Sequence, residues 1–90
     1  MDRFGELTVF LCVVDEGSFS AAARRLGLSP SAVSKLVARL EARLGARLYD
    51  RIGSAIRLTE EGRIFQRNGA RVLDALAEAE NSVAASLAYW

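Results

Sequence analysis

Residues 18–44, SFSAAARRLGLSPSAVSKLVARLEARL, decide the fold of this chain. They predict two helices joined by a tight turn, because Ser18 is a cap residue, Gly27 favours a helix end, and Ser29-Pro30 is a start signal. Three consecutive alanines make the first helix slim enough for close crossing. The apolar spacing over both segments is typical of a helix-turn-helix unit, with its buried positions at Ala22, Leu26, Leu28, Val33 and Leu36.

Length and composition restrict the function classes. Ninety residues with a 51% hydrophobic content predict one small domain. A single cysteine, Cys12, and no histidine exclude a disulfide framework and the usual zinc ligand sets. We find no nucleophile with a nearby base, so we do not expect an enzyme. We also expect no metal and no cofactor. No apolar run is long enough to span a membrane, and the N-terminus is not a signal peptide. Both observations favour a cytoplasmic protein without a membrane partner.

Charge is unevenly distributed along the chain, although the formal net charge is only +1. Residues 24–71 contain eleven Lys/Arg and four Asp/Glu, a local charge of +7, whereas the other residues contain one Arg and seven acids. This asymmetry indicates that one region faces a polyanion. The alternative is that most of these arginines lie on solvated helix faces.

The flanking segments complete a mainly α domain. Residues 4–16 predict a helix with a buried stripe at Leu7, Phe10, Leu11 and Val14. Short strands at 47–51 and 55–58 around Gly53-Ser54 predict a β-hairpin. Thr59 is predicted to cap a last helix over 60–87. Its apolar and small residues follow a 4-3 spacing typical of a coiled-coil seam: Phe65, Gly69, Val72, Leu76, Ala79 and Val83.

The second helix of the pair starts with residues suited to DNA bases. Serine hydroxyls, a small methyl group and a lysine can contact base edges in the major groove, which makes candidates of Pro30, Ser31, Ala32, Ser34 and Lys35. The alternative for Ser31 is an ordinary first-turn residue, and for Lys35 a solvated lysine.

Phosphate contacts are predicted for exposed polar and basic residues around this helix and the hairpin: Arg24, Arg25, Ser29, Arg39, Arg43, Arg51, Ser54 and Arg57. Arg24 and Arg25 are adjacent on a helix, so at most one faces DNA. Arg43 has the alternative of pairing with a nearby acid.

The run FLCVVDEGSFSAAARRLGLSPSAVSKLVARLEARLGARLYDR…IRLTEEG closely resembles the DNA-binding domain of LysR-type transcriptional regulators, over residues 3–80. The resemblance implies a winged helix-turn-helix of three helices and a β-hairpin wing over residues 1–58. A linker helix over 59–90 would pair antiparallel with its twin. The homodimer would bind a pseudo-palindromic site on double-stranded DNA. The residues that enter the major groove would be Pro30, Ser31, Ala32, Ser34 and Lys35, and the wing between Arg51 and Arg57 would rest on the backbone or in the minor groove.

Three departures from the family pattern affect these expectations: the wing tip, Gly69 in the linker helix, which could bend it, and the length of the chain. Many members have arginines at the wing tip, where this chain has Ser54 and Ala55. Members are also several times longer, so we expect the C-terminal domain that binds a small-molecule effector to be missing. The alternative from another class is a helix-turn-helix and coiled-coil module that binds protein without contacting DNA bases.

Overall fold

The computed structural model describes residues 1–89. Its elements follow in the order α1 Arg3–Glu16, α2 Phe19–Leu26, α3 Pro30–Leu44, β1 Tyr49–Ile52, β2 Ala55–Leu58 and α4 Glu60–Leu87. The predicted mainly α fold, with a hairpin between the third helix and a long fourth one, is confirmed. Trp90, the last residue of the predicted linker segment, lies outside the described residues.

The ends of the helices are set by local hydrogen bonds at the predicted caps. Ser18 Oγ accepts from the amide of Ala21 at 3.1 Å, and Thr59 Oγ1 accepts from the amide of Gly62 at 3.0 Å. Gly27 ends α2 in the left-handed region, with φ of 70°. Because only glycine adopts this conformation without strain, the turn between α2 and α3 is fixed by sequence.

Helix α1 is buried on more sides than its predicted stripe. Leu7 and Phe10 are buried as expected, but Leu11 and Val14 are only half-buried. Their places in the core are taken by residues on the neighbouring face, namely Val9, Cys12 and Val13. The physical reason is that α1 packs against α2 and α3 on one side and against α4 on another. A single amphipathic stripe therefore predicts too few buried residues for a helix that packs on two sides.

The hairpin is antiparallel, with Tyr49 opposite Leu58 and Ile52 opposite Ala55. It turns at Gly53, whose φ of 61° is the positive value that a two-residue hairpin turn requires at its first central position. The first strand begins at Tyr49, two residues later than predicted. Residue Leu48 just before it is 1% exposed and belongs to the core.

Helix α4 begins in the core and ends in solvent. The ring of Phe65 lies 5.6 Å from the ring of Phe10, and Gly69 is buried beneath Leu7. Every described residue from Asp74 onward is exposed. The first two positions of the predicted seam, Phe65 and Gly69, therefore contact α1 of the same chain. Within residues 1–89, no helix combines the length and apolar character needed to cross a membrane.

Substitution of Gly62 by alanine is expected to destabilise the fold by about 1–3 kcal/mol, because overpacking against a fixed neighbour forces a backbone shift. The added Cβ would press on the carbonyl oxygen of Leu48, which already accepts a hydrogen bond from the amide of Thr59 at 3.0 Å. Urea denaturation of Gly62→Ala and wild type measures the difference.

Gly69→Ala is the matched control for Gly62→Ala. Its Cβ would meet a terminal methyl group of Leu7, which can rotate away. Alanine also improves helix propensity by about 1 kcal/mol relative to glycine. We expect little net change in the free energy of unfolding, and equal losses in the two variants would contradict this account of the contacts.

Candidate nucleic-acid interface

Helix α3 presents one polar face to solvent from a firmly anchored position. Val33, Val37 and Leu40 on its inner side are at most 1% exposed. Lys35 and Arg39 on the outer side are exposed and lie one helical turn apart. Because the inner residues pack in the core, the outer face of the helix keeps one orientation relative to the rest of the domain.

The start of α3 combines exposed residues with a closed hydrogen-bond arrangement. Ser29 Oγ accepts from the amide of Ala32 at 3.1 Å and lies 3.2 Å from Ser31 Oγ. Pro30 and Ser31 are exposed, whereas Ala32 and Ser34 are half-buried. The structure thus brings together all five predicted base-contacting residues on the first two turns of one helix, and it gives Ser29 a capping role.

The adjacent residues Arg24 and Arg25 differ in their ion pairs. The guanidinium of Arg25 contacts Asp15 at 2.7 Å and Glu16 at 3.1 Å. The hydrogen bonds to Asp15 and then to Glu16 raise the pKa of Arg25 above its ordinary value. Among residues 1–89, Arg24 has no carboxylate at ion-pair distance. Of these two, Arg24 is the one whose charge is available to an anion.

Arg43, one of the predicted phosphate contacts, makes the ion pair that the sequence left open as its alternative. Its Nη2 lies 2.6 Å from Oε1 of Glu6, whose side chain is only 7% exposed. The pair ties α3 to α1, so Arg43 serves the fold. Sequence analysis missed Glu6, although an acid directly beside the apolar stripe of α1 was a usable signal that some distant cation must approach it.

The hairpin carries its two predicted arginines on neighbouring strands. Arg51 lies opposite Ile56, and Arg57 lies opposite Asp50. Both arginines are exposed, and the guanidinium carbon of Arg51 lies 4.6 Å from the centre of the Phe19 ring. The tip has no cation, since exposed Ser54 is flanked there by Gly53 and Ala55.

The hairpin is held against the helices by two side chains that the sequence analysis did not single out for this role. Glu41 Oε2 accepts from the amide of Leu48 at 2.7 Å. Thr59 Oγ1 donates to the carbonyl of Arg47 at 2.6 Å. These bonds fix the position of the hairpin relative to α3 and α4. Any surface that combines α3 with the hairpin is therefore preformed.

Residues 1–89 contain no group of three His, Cys, Asp or Glu side chains that could hold a metal ion. Cys12 is buried, with its Sγ 4.0 Å from the carbonyl oxygen of Ala22. It acts as a small core residue.

Residues 4–63 match a known family, described as "Bacterial regulatory helix-turn-helix protein, lysR family". The transcriptional regulator CrgA of Neisseria meningitidis is 48% identical over 80 residues, which cover 89% of this chain and 27% of CrgA. The transcriptional activator AaeR of Escherichia coli is 41% identical over 73 residues, which cover 81% of this chain and 24% of AaeR. The chain thus spans about a quarter of the length of these curated relatives.

Solved structures show the same fold. The DNA-binding domain of CbnR in complex with DNA superposes with a TM-score of 0.85 at 30% identity, covering 94% of this chain and 98% of that one. The structure of CrgA, a LysR-type transcriptional regulator from Neisseria meningitidis, gives a TM-score of 0.79 at 45% identity, covering 94% of this chain and 29% of that one. The similarity includes the helices, the hairpin and most of α4.

Arg43→Ala is expected to lower the free energy of unfolding by about 1–3 kcal/mol, because it leaves the buried carboxylate of Glu6 without its partner. Arg39→Ala, one turn earlier on the exposed face, is the control and should change stability by less than about 0.5 kcal/mol. Thermal unfolding of both variants measures the difference. Two indistinguishable variants would mean that the pair contributes nothing to the fold.

Proposed function

The chain belongs to the lysR family of bacterial regulatory helix-turn-helix proteins, and from this premise we propose that it binds double-stranded DNA with sequence preference. The observation that carries the proposal is the exposed face of α3, with Ser31, Lys35 and Arg39 on a helix anchored by three buried side chains. A helix of this kind fits the major groove, where its first turns reach base edges.

Each part of the surface has a separate task in this proposal. Ser31, Ser34 and Lys35 contact bases, while Pro30 and Ala32 shape the tip of the helix. Phosphates are contacted by exposed arginines on α2, α3 and the hairpin, namely Arg24, Arg39, Arg51 and Arg57. Because phosphate neutralisation releases counterions, the affinity should fall steeply with salt. The wing tip at Ser54 contributes a polar contact without a cation.

The similar domain of CbnR was solved in complex with DNA, which supports the same use for this chain. The chain would then belong to a transcriptional regulator that works in the cytoplasm, where bacterial DNA lies. A small-molecule effector would bind in a further C-terminal domain of the kind that the longer relatives have room for. A module that binds only protein is not favoured, because the first turns of α3 expose small, polar and basic residues instead of large apolar ones.

We further propose that α4 forms a homodimer with a second copy of itself. Four apolar side chains on its outer part stay between 44% and 67% exposed without a partner: Val72, Leu76, Val83 and Leu87. Phe4 on α1 is 51% exposed and lines a groove with Leu7, Phe65 and Val72. Together they form a continuous apolar surface, which is unusual on a monomer of this size.

The spacing of the seam on α4 fits an antiparallel pair. The seam is symmetric about position 74, so antiparallel helices would place Val72 opposite Leu76 and Phe65 opposite Val83. Val83 would then enter the groove beside Phe65, and small Ala79 would face the place where Leu7 covers Gly69.

Lys35→Ala is expected to change the preferred DNA sequence, because a good base contact contributes about 1–3 kcal/mol of discrimination. Binding-site selection with purified wild type and variant measures the preference. Arg57→Ala is the control, since loss of a phosphate contact should weaken binding to all sequences alike and flatten the salt dependence. An unchanged preferred site in Lys35→Ala would remove this residue from the base contacts.

Leu76→Glu is expected to yield monomers, because it places a carboxylate in the centre of the proposed interface. Ala85→Glu adds the same charge to an exposed position about 180° away around the helix and should leave the dimer intact. Sedimentation equilibrium distinguishes the two states. A dimer that survives Leu76→Glu would show that the seam lies elsewhere.

A further inference from the structure

An aromatic cluster joins the hairpin to the start of α2. The ring of Phe19, the first residue of α2, lies 5.1 Å from the ring of Tyr49 at an interplanar angle of 58°. The guanidinium carbon of Arg51 lies 4.6 Å from the centre of the same Phe19 ring. This is within the distance of about 6 Å at which a ring face attracts a cation.

The position of the Phe19 ring is determined by the fold around it. Phe19 is 6% exposed and follows Ser18, whose hydroxyl caps the helix. Tyr49 and Arg51 are two residues apart on β1, so their side chains leave the same face of the strand. One ring therefore contacts both side chains. Phe19 connects the helix-turn-helix to the hairpin through packing and through charge.

Arg51 differs from the arginines that the fold itself uses. Arg25 and Arg43 each contact a carboxylate at 2.7 Å or less. Arg51 is exposed and, in the part of the chain that the structure describes, has no carboxylate at ion-pair distance. A ring face holds a guanidinium in place without neutralising it, and the N–H groups at its edge stay free to donate.

We propose that Phe19 is a positioning residue for a contact between Arg51 and a phosphate of the DNA backbone. This inference rests on the proposed function, and it assigns a role in binding to a buried residue that does not itself touch DNA. By holding Arg51 near its bound position before DNA arrives, the ring lowers the cost of immobilising a long side chain on binding. Arg51 then supplies a preformed charge on the hairpin side of α3.

A double-mutant cycle tests this role against a purely structural one. The affinity for a random-sequence DNA duplex is measured for wild type, Phe19→Leu, Arg51→Gln and the double variant, since a phosphate contact needs no particular sequence. Phe19→Leu should weaken binding by about two- to tenfold when Arg51 is present. It should have little effect once Arg51 is replaced. Arg51→Gln should also reduce the salt slope by about one.

Arg57→Gln provides the matched control, because Arg57 is an exposed arginine of the same hairpin and, among residues 1–89, makes no contact of this kind with a ring. The losses from Phe19→Leu and Arg57→Gln should simply combine. An equal loss from Phe19→Leu with and without Arg51 would overturn the positioning role. A wild type that binds no duplex would overturn the proposed function instead, so the two failures can be told apart.

A second measurement needs no substitution, which matters if Phe19→Leu does not fold. In the NMR spectrum of the wild-type protein, the Cδ protons of Arg51 should be shifted upfield by the ring current of Phe19, at low and at high salt. The shift should persist when the duplex is added. Ordinary, unshifted values in the free protein would overturn the proposal.

Discussion

The backbone of Leu48 is the point on which the rest of the structure depends. Its amide donates to Glu41 of α3, its carbonyl accepts from Thr59, and its side chain is 1% exposed in the core. Helix α4 passes so close to this carbonyl that only a glycine fits at position 62. Three elements are thus fixed to one residue: α3, the hairpin and α4. Their relative directions are consequences of this single junction.

Charge pairing divides the basic region into structural and available cations. Arg43 and Arg25 are paired with acids of α1, so they stabilise the packing of the helices. Arg24, Arg39, Arg51 and Arg57 remain exposed, and within residues 1–89 none of them has a carboxylate partner. The acids of α1 thus pair with two arginines and leave the other four available to an anion. The net charge of +1 does not show this difference between paired and unpaired arginines.

Local signals in the sequence predicted most of the fold, because caps and turns depend on neighbouring residues. Ser18, Gly27 and Ser29-Pro30 set the ends of α2 and α3 where expected, and α4 spans the predicted 60–87. Contacts between distant residues were not predictable in the same way. Glu6 and Arg43 are 37 positions apart, and no periodic pattern links them. The two-sided burial of α1 was missed because it depends on where α4 packs.

The candidate site shows the same division between local and distant information. The face of α3 follows from helical spacing, so all five base-contacting candidates were found together and lie on its first two turns. The contact of Arg51 with Phe19 depends on how the hairpin folds back onto α2, which the sequence alone does not reveal. Arg51 was predicted as a phosphate contact, but what holds it in place was visible only in three dimensions.

The outer half of α4 is exposed, so its helical order should depend on protein concentration. From Asp74 onward no described side chain is covered by the same chain, and an isolated helix of about 12–15 residues is only marginally stable in water. If α4 pairs with a second copy as proposed, the order of this segment depends on association, and helix content should decrease on dilution in circular dichroism. If two copies bind neighbouring half-sites as proposed, the DNA would hold the outer halves of α4 close together and favour their ordering.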